Sequence, residues 1–402
     1  MRKNGVNKEL IPIDGGVCAP SGFKANGVKC GFLPDTERED LALVFADKRV
    51  PTACVFSTGA FCGAPAIVTK KNVASGYARA AIVNSGVANL TGDGVSLAKS
   101  VCRELSSRTK ALETEIVIAS TGKIGRPISL TTFLKRMDEL VNGLSDTDEG
   151  SKAAARAIMT EDRTAKQAAF AFELGAFPCK IGAIFKGGAR VSPNMATTLC
   201  IMTTDVNISP KMLQKALDSA VKETFNMLDV DGISSPNDTV CVMASGNAGN
   251  CRIDYEDTEY KKFADALQEA ARRICVALAK DVGDVKKLLV CKVRGARSKR
   301  MARAVARAVV CADGIRNAIS ESRLEPDGIL GAAYVTGEEF AFENVSLEIS
   351  SEYGSLAIFE GNAATEFYPE TVGRVLSAEE IEIRIALGIG NFSAQALGVV
   401  RK

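Results

Sequence analysis

The 402-residue sequence contains no histidine and no tryptophan. Histidine is the usual general base near neutral pH and the commonest metal ligand. Its absence therefore excludes Ser/His/Asp triads, Cys/His dyads and histidine-based zinc sites.

The sequence also lacks a strong net charge and any long apolar run. Lys and Arg total 50 against 48 Asp and Glu, a formal charge of +2, which gives no electrostatic attraction for nucleic acid. No window approaches the ~20 apolar residues of a membrane span, and the first residues do not resemble a signal peptide. We therefore expect a cytoplasmic protein that binds neither nucleic acid nor membrane.

The sequence has twelve cysteines but no pair spaced C-x-x-C. Most lie within apolar runs, such as those at 52–56 and 239–243, where a free thiol behaves as a small buried hydrophobe. We expect reduced thiols and a reducing compartment.

The length favours two lobes around sizeable cores. Apolar runs at 81–86 and 116–122 predict buried strands that open into loops. Strands and helices together predict an α/β protein, an α+β layered sandwich. The further predicted segments are helices at 151–172, 210–228, 256–280 and 298–312, and strands at 342–350 and 355–359.

A Gly/Pro-rich loop within 185–206 leads into a β-branched, apolar strand that begins near Thr197. Without histidine, a threonine hydroxyl can still be activated if the preceding peptide bond is cut, because the freed α-amine titrates near ~8 and serves as base. The alternative is that Thr197 and Thr198 are ordinary strand threonines.

In their order and spacing, several short motifs resemble the ornithine acetyltransferase family, the bifunctional glutamate N-acetyltransferases of arginine biosynthesis. Each motif is weak alone, and the resemblance extends from about Gly15 to about Asp284. The motifs lie at 15–23, 40–44, 84–89, 119–122, 157–160, 193–197, 225–227, 231–232 and 237–239.

This resemblance implies a self-processing N-terminal-threonine acyltransferase of the ornithine acetyltransferase/aminopeptidase superfamily. The precursor would be cut between Ala196 and Thr197. The products would be an N-terminal chain, 1–196, with the oxyanion loop, and a C-terminal chain, 197–402, that begins at the nucleophile. The resemblance implies that they remain associated, as a heterotetramer of two chains of each kind.

The resemblance also implies roles for individual residues. Thr121 and Gly122 match the oxyanion-stabilising pair of the family, with a structural turn threonine as the alternative for Thr121. A threonine hydroxyl and a backbone N–H are suitable donors, since each is worth ~3 kcal/mol at a tetrahedral intermediate. Thr197 is the implied nucleophile.

Thr160, Lys186 and Thr197 match positions at which the family contacts substrate. Lys186 is interpreted as a partner of the substrate α-carboxylate, with a solvated surface lysine as the alternative. Asp284 stands where the family typically has Glu, and its shorter carboxylate is interpreted as a partner of a substrate ammonium.

Two departures from the family suggest a divergent paralogue. The tail ends at Lys402 without the family's Asn and Ser or Thr contacts to substrate, and the segment 321–330 replaces the family's Asp-Pro-Asn-Trp-Gly-Arg stretch. From the missing tail contacts and the Glu-to-Asp change at Asp284, we expect altered or weakened selection for the ornithine side chain.

The leading functional hypothesis is transfer of an acetyl group from N2-acetylornithine to glutamate through an acetyl-Thr197 ester, without metal or organic cofactor. A second hypothesis is an amidase or aminopeptidase, in which water takes the acyl group. A third is a catalytically silent binding paralogue. The use of acetyl-CoA as a further donor, and the occurrence of self-cleavage itself, stay open at this point.

Overall fold

A computed structural model describes residues 10–33, 36–90, 92–187 and 198–401. The strands are β1 Ile11–Ile13, β2 Phe23–Val28, β3 Leu41–Phe56, β4 Tyr77–Asn84, β5 Ile116–Ser120, β6 Lys166–Leu174, β7 Phe177–Gly187, β8 Thr198–Thr204, β9 Leu228–Asp229, β10 Thr239–Ala244, β11 Val285–Ala296, β12 Ser346–Ser351, β13 Gly354–Glu360, β14 Ala363–Ala364, β15 Glu380–Ala386 and β16 Phe392–Arg401.

The α-helices are α1 Ala64–Asn72, α2 Gly94–Arg108, α3 Leu130–Leu134, α4 Met137–Asn142, α5 Asp148–Ala157, α6 Pro210–Glu223, α7 Thr258–Lys280, α8 Lys299–Cys311, α9 Asp313–Ser320, α10 Pro326–Tyr334 and α11 Pro369–Leu376. No helix among the described residues is long and apolar enough to cross a membrane.

The chain divides into two compact units. Over the described residues, the first unit comprises 10–187, 198–222 and 233–274, and the second comprises 223–232 and 275–401. The predicted division into 1–196 and 197–402 concerns a covalent cut rather than compact units, so it stays a prediction.

The first unit contains a nine-stranded sheet among its described residues, in the order β1-β6-β7-β8-β10-β3-β4-β5, with β2 paired to β3. Side chains of β4 and β5 alternate between two apolar clusters, as the period of a strand requires. One cluster includes Ala154 and Ile158 at the end of α5, and the other includes Val101 and Leu105 of α2. Helices therefore cover both faces, which confirms the predicted α/β layered class.

The ends of neighbouring strands in this sheet are held in fixed register. β4 and β5 are parallel, with Asn84 opposite Ser120, so the chain leaves both strands at the same edge. β7 and β8 are antiparallel, with Gly187 opposite Thr198. The buried strands predicted at 81–86 and 116–122 are confirmed as β4 and β5, and both open into loops.

The second unit contains a seven-stranded sheet among its described residues, in the order β14-β13-β12-β15-β11-β16-β9. Ser298 caps the N-terminus of helix α8, and its hydroxyl accepts the Met301 N–H at 3.1 Å. Its buried side chains recur at helical spacing and join the apolar core of this unit. They are Met301, Ala302, Val305, Ala306, Val309 and Val310.

The helix predicted at 151–172 is wrong in its second half. Helix α5 ends at Ala157, and β6 begins at Lys166 between β1 and β7. The Ala-rich stretch of β6 has good helix propensity, but sheet pairing on both sides overrides that weak preference. Two smaller corrections follow: α6 ends at Glu223, and 342–344 forms a 3₁₀ turn rather than the start of a strand.

All twelve cysteines are free, and nine of them are buried. Burial raises the pKa of the Cys18 and Cys102 thiols to about 12. These thiols are therefore protonated and unreactive at neutral pH, which agrees with their interpretation as small buried hydrophobes.

Candidate active site

The ends of β4 and β5 are locked together by side-chain and backbone hydrogen bonds. The Ser120 hydroxyl donates to Asn84 Oδ1 at 2.5 Å, and the Thr121 N–H donates to Asn84 O at 3.0 Å. The Asn84 amide in turn donates to Val87 O at 2.9 Å. Thr121 is buried at the rim of the sheet, in a position fixed by both strands.

Gly122 follows in a conformation that requires glycine. Its φ is +129°, and a Cβ built on it would lie 2.2 Å from the carbonyl carbon of Gly86. Lys123 N–H donates to Gly86 O at 3.0 Å, which fixes this close approach of two loops. Gly122 itself is exposed, and its N–H donates to no other group in the described ranges, so it is free to meet a ligand.

Lys186, in β7, connects two hydroxyl groups of this site. Its ammonium donates to Thr160 Oγ1 at 2.6 Å and to Thr121 Oγ1 at 3.3 Å. Lys186 is only 1% exposed, so the alternative of a solvated surface lysine is wrong. Because both hydroxyl oxygens accept from the ammonium, their protons stay available for donation to a third group.

A buried carboxylate, Asp162, lies behind the lysine. Its Oδ2 accepts the Thr160 N–H at 2.9 Å, and its Oδ1 accepts the Gly187 N–H at 3.1 Å. Oδ1 also accepts a hydrogen bond from Lys166 Nζ at 2.7 Å. One side chain thus joins the loop after α5 to the first residue of β6 and the last residue of β7.

The electrostatics of this cluster follow from its burial. Burial lowers the pKa of Lys186, and the charges of Asp162, Asp238 and Glu161 oppose that shift while Lys166 adds to it. Burial alone would raise the pKa of Asp162, but the charges of Lys186 and Lys166 and its hydrogen bonds hold the pKa of that carboxyl below its usual value. The carboxylate is therefore ionised at neutral pH.

The beginning of β8 is anchored by a second carboxylate. The Thr198 N–H donates to Asp238 Oδ1 at 2.8 Å, and Asn237 donates to Ala88 O at 2.6 Å, in the loop that follows β4. The predicted strand after the Gly/Pro-rich loop is confirmed from Thr198 onward. The two residues of the predicted cleavage site, Ala196 and Thr197, lie outside the described residues.

Asp284 belongs to the second unit and precedes β11. Its side chain is 49% exposed, and Oδ1 lies 3.6 Å from Arg401 Nε. A guanidinium so close competes with a substrate ammonium for the same carboxylate. Its interpretation as a substrate contact stays a prediction.

Of the residues predicted from the sequence, the structure brings Thr121, Gly122, Thr160 and Lys186 together around one rim of the first sheet. Sequence reasoning missed Asp162 and Lys166. Their only signal was a charged segment, 161–166, between the apolar end of α5 and the alternating residues of β6.

This rim offers two hydrogen-bond donors, a threonine hydroxyl and a free backbone N–H. It also offers the positive charge of a buried ammonium. Such groups stabilise negative charge on an acyl oxygen in a tetrahedral intermediate. The rim therefore suits the chemistry of acyl transfer.

Comparison with known proteins agrees with this class. The model of the ArgJ family matches residues 24–399. The arginine biosynthesis bifunctional protein ArgJ of Caldanaerobacter subterraneus is 32% identical over 388 residues, 96% of this chain and 95% of that protein. Its namesake from Symbiobacterium thermophilum is 34% identical over 391 residues, with the same two coverages of 96% and 95%.

A crystal structure of the ArgJ protein from Bacillus halodurans is 32% identical in sequence, with a TM-score of 0.46, and covers 50% of this chain and 92% of that chain. The family match and the identities place this protein among the acyltransferases of arginine biosynthesis. The chain belongs to the ArgJ family. The predicted family, and with it the predicted enzyme class of glutamate N-acetyltransferase, are confirmed.

Proposed function

We propose that this protein transfers an acetyl group from N2-acetylornithine to glutamate through an ester on Thr197. The observation that carries the proposal is the convergence of the Thr121 hydroxyl and the free Gly122 N–H beside Lys186, in a chain of the ArgJ family. Glutamate and N-acetylornithine are the proposed substrates, and acetyl-CoA is a further donor to be tested.

In the first half-reaction, the Thr197 oxygen attacks the acetyl carbonyl carbon. The negative charge that develops on the carbonyl oxygen is stabilised by the Thr121 hydroxyl and the Gly122 N–H. The carbon–nitrogen bond then breaks, and the departing ornithine α-amine takes the proton that the Thr197 α-amine had removed from the hydroxyl. In the second half-reaction, the glutamate α-amine attacks the ester and restores the hydroxyl.

The α-amine of Thr197 becomes available only if the bond after Ala196 is cut, so the proposal includes self-cleavage. Strand β8 pairs with β7 on one side and with β10 on the other. A cut before Thr197 leaves β7 in one product and β8 in the other. Their backbone hydrogen bonds would hold the two chains in one sheet, and native mass spectrometry tests for two chains of each kind.

The test combines intact-mass measurement with an assay of acetyl transfer to glutamate. We expect the wild type to give fragments 1–196 and 197–402, and Thr197→Ala to remain intact and inactive because it lacks the attacking hydroxyl. Thr197→Ser should retain some cleavage. The matched control is Thr198→Val at the neighbouring threonine. This variant keeps the Thr198 N–H that donates to Asp238 Oδ1, and it should be cleaved like the wild type.

Cleavage in Thr197→Ala would contradict the nucleophile. Release of free acetate without acetylglutamate would replace acyl transfer by hydrolysis. An intact, inactive wild type would favour a silent paralogue.

A further inference from the structure

The family match and the geometry leave one part of the rim without a role: the buried group formed by Asp162 and Lys166. The side chain of Asp162 is 0% exposed and that of Lys166 is 7% exposed. Burying charges is costly unless they are paired and hydrogen-bonded, and replacing such a group with apolar residues is often neutral or stabilising. A buried charged group next to candidate catalytic residues therefore calls for a functional explanation.

Stability alone does not account for the placement of Asp162. Its two oxygens accept the backbone N–H groups of Thr160 and Gly187. The Thr160 hydroxyl accepts a hydrogen bond from the Lys186 ammonium, and Gly187 follows Lys186 in the chain. A shift of Asp162 would therefore move both Thr160, a hydrogen-bond partner of Lys186, and the backbone next to Lys186. Of the nearby negative charges, that of Asp162 contributes most to raising the pKa of Lys186 against the effect of burial.

We propose that Asp162 is a positioning residue: its hydrogen bonds to the Thr160 and Gly187 N–H groups hold the Lys186 ammonium in place, so that the Thr121 and Thr160 hydroxyl protons point toward the acyl group. The negative charge of Asp162 also favours the protonated form of this lysine. The ammonium of Lys166 weakens the effect of Asp162 on Lys186, because it offsets part of the negative charge of the carboxylate. This inference rests on the proposed acyl transfer, and it assigns to Asp162 no contact with substrate.

The proposal gives opposite expectations for two substitutions in one ion pair. In Asp162→Asn a negative charge near Lys186 is lost, so the pKa of Lys186 falls. In Lys166→Gln a positive charge is lost, so the pKa of Lys186 rises. The other charged groups that face Lys186, Asp238 and Glu161, are unchanged in both variants.

The first experiment measures the pH dependence of kcat for acetyl transfer. We expect the alkaline limb, which reports loss of the Lys186 proton, to move down by about one pH unit in Asp162→Asn and up in Lys166→Gln. A purely structural role would lower activity in both variants without moving the limbs in opposite directions. Movement of both limbs in the same direction, or of neither, would overturn the proposal.

The matched control is Asp40→Asn. Asp40 is a fully buried aspartate in the same unit, and it accepts backbone N–H groups from Cys30, Gly31 and Leu33 at 2.6, 2.9 and 3.1 Å. This variant also loses a buried carboxylate that holds a loop. We expect lower stability and an unmoved alkaline limb.

The second experiment needs no substrate. The protein is labelled with ¹³C at the lysine ε-carbons, and the Lys186 resonance is assigned by its absence in Lys186→Met. The pKa of Lys186 read from this resonance should fall in Asp162→Asn and rise in Lys166→Gln. If Asp162→Asn does not fold, the result for Lys166→Gln alone decides whether the proposal stands. An unchanged titration in Lys166→Gln would overturn the proposal. Absence of acetyl transfer in the wild type would instead overturn the proposed function and leave this titration valid.

Discussion

Two loops of the first unit are each organised by a buried aspartate, but the two aspartates have different partners. Asp40 accepts three backbone N–H groups from 30–33 and forms no ion pair among the residues that the structure describes. Asp162 accepts two backbone N–H groups and adds the ammonium of Lys166, with Lys186 close enough to shift its pKa. Backbone donors are therefore sufficient to hold a loop in this protein. The additional cations distinguish the loop that carries the proposed positioning residue.

The largest effect that tests this comparison is expected at Thr121, whose hydroxyl accepts a hydrogen bond from the Lys186 ammonium. Thr121→Ala should lower kcat by ~10² to 10³ with little change in KM, because the lost donor acts on charge that develops only in the transition state. Steady-state kinetics with N2-acetylornithine measure the effect.

The control for Thr121 comes from the other loop. Thr36 Oγ1 donates to Leu33 O at 3.4 Å within the loop that Asp40 holds, so Thr36→Ala should leave kcat unchanged. Thr121→Ser should recover much of the lost rate because the hydroxyl is retained. A rise in KM alone in Thr121→Ala would mean that this residue only binds substrate.

A second, smaller effect is expected when two glycines with positive φ are replaced, one in the loop that Asp40 holds and one in the candidate active site. Gly31 has a φ of +94° and space for a Cβ, whereas a Cβ on Gly122 would collide with the backbone of Gly86. Gly31→Ala should therefore cost only the backbone strain, about 1–2 kcal/mol of unfolding free energy. Gly122→Ala should cost more, and it should also lower kcat because the loop that carries its N–H must move.

Urea unfolding and the transfer assay measure both variants. Equal losses of stability, together with full activity in Gly122→Ala, would show that the approach of Gly122 to Gly86 is not needed for the site.

The sequence predicted those parts of the site that depend on local pattern. The apolar runs at 81–86 and 116–122 predicted two buried strands that open into loops, and both strands are present in parallel register. Resemblance to the family assigned roles to Thr121, Gly122, Thr160 and Lys186, and the structure gathers these residues at one rim. Periodicity and motif order were enough for this much.

Other parts depended on pairing between segments that are distant in the sequence. The stretch 166–172 has helical spacing, yet its pairing with β1 and β7 makes it a strand. The same pairing buries Lys166 and places Asp162 against Gly187, which is 25 residues away. No local pattern separates these charged residues from the exposed Glu161 and Arg163 beside them. Their role therefore became visible only with the tertiary structure.

The smallest expected effect is on the acid dependence of stability. The pKa of Asp162 is held below its unfolded value of about 4, so its charge contributes stability that is present above that value. This contribution is lost as the pH falls through the folded pKa of the carboxyl. The Asp162→Asn variant has no carboxyl to protonate at this position. Its unfolding free energy should therefore decline less steeply than that of the wild type below about pH 5.

Lys166→Gln gives the complementary result. Removing that cation raises the pKa of Asp162 toward its ordinary value, since the Lys166 charge and hydrogen bond both lower it. The stabilising contribution then becomes smaller and is lost at a higher pH. Urea unfolding between pH 3 and 7 measures how the unfolding free energy changes with pH in the wild type, Asp162→Asn and Lys166→Gln. Subtracting the wild-type slope from that of each variant removes the acid response that all three proteins share. A wild-type slope in Asp162→Asn would show that the Asp162 charge is not coupled to folding.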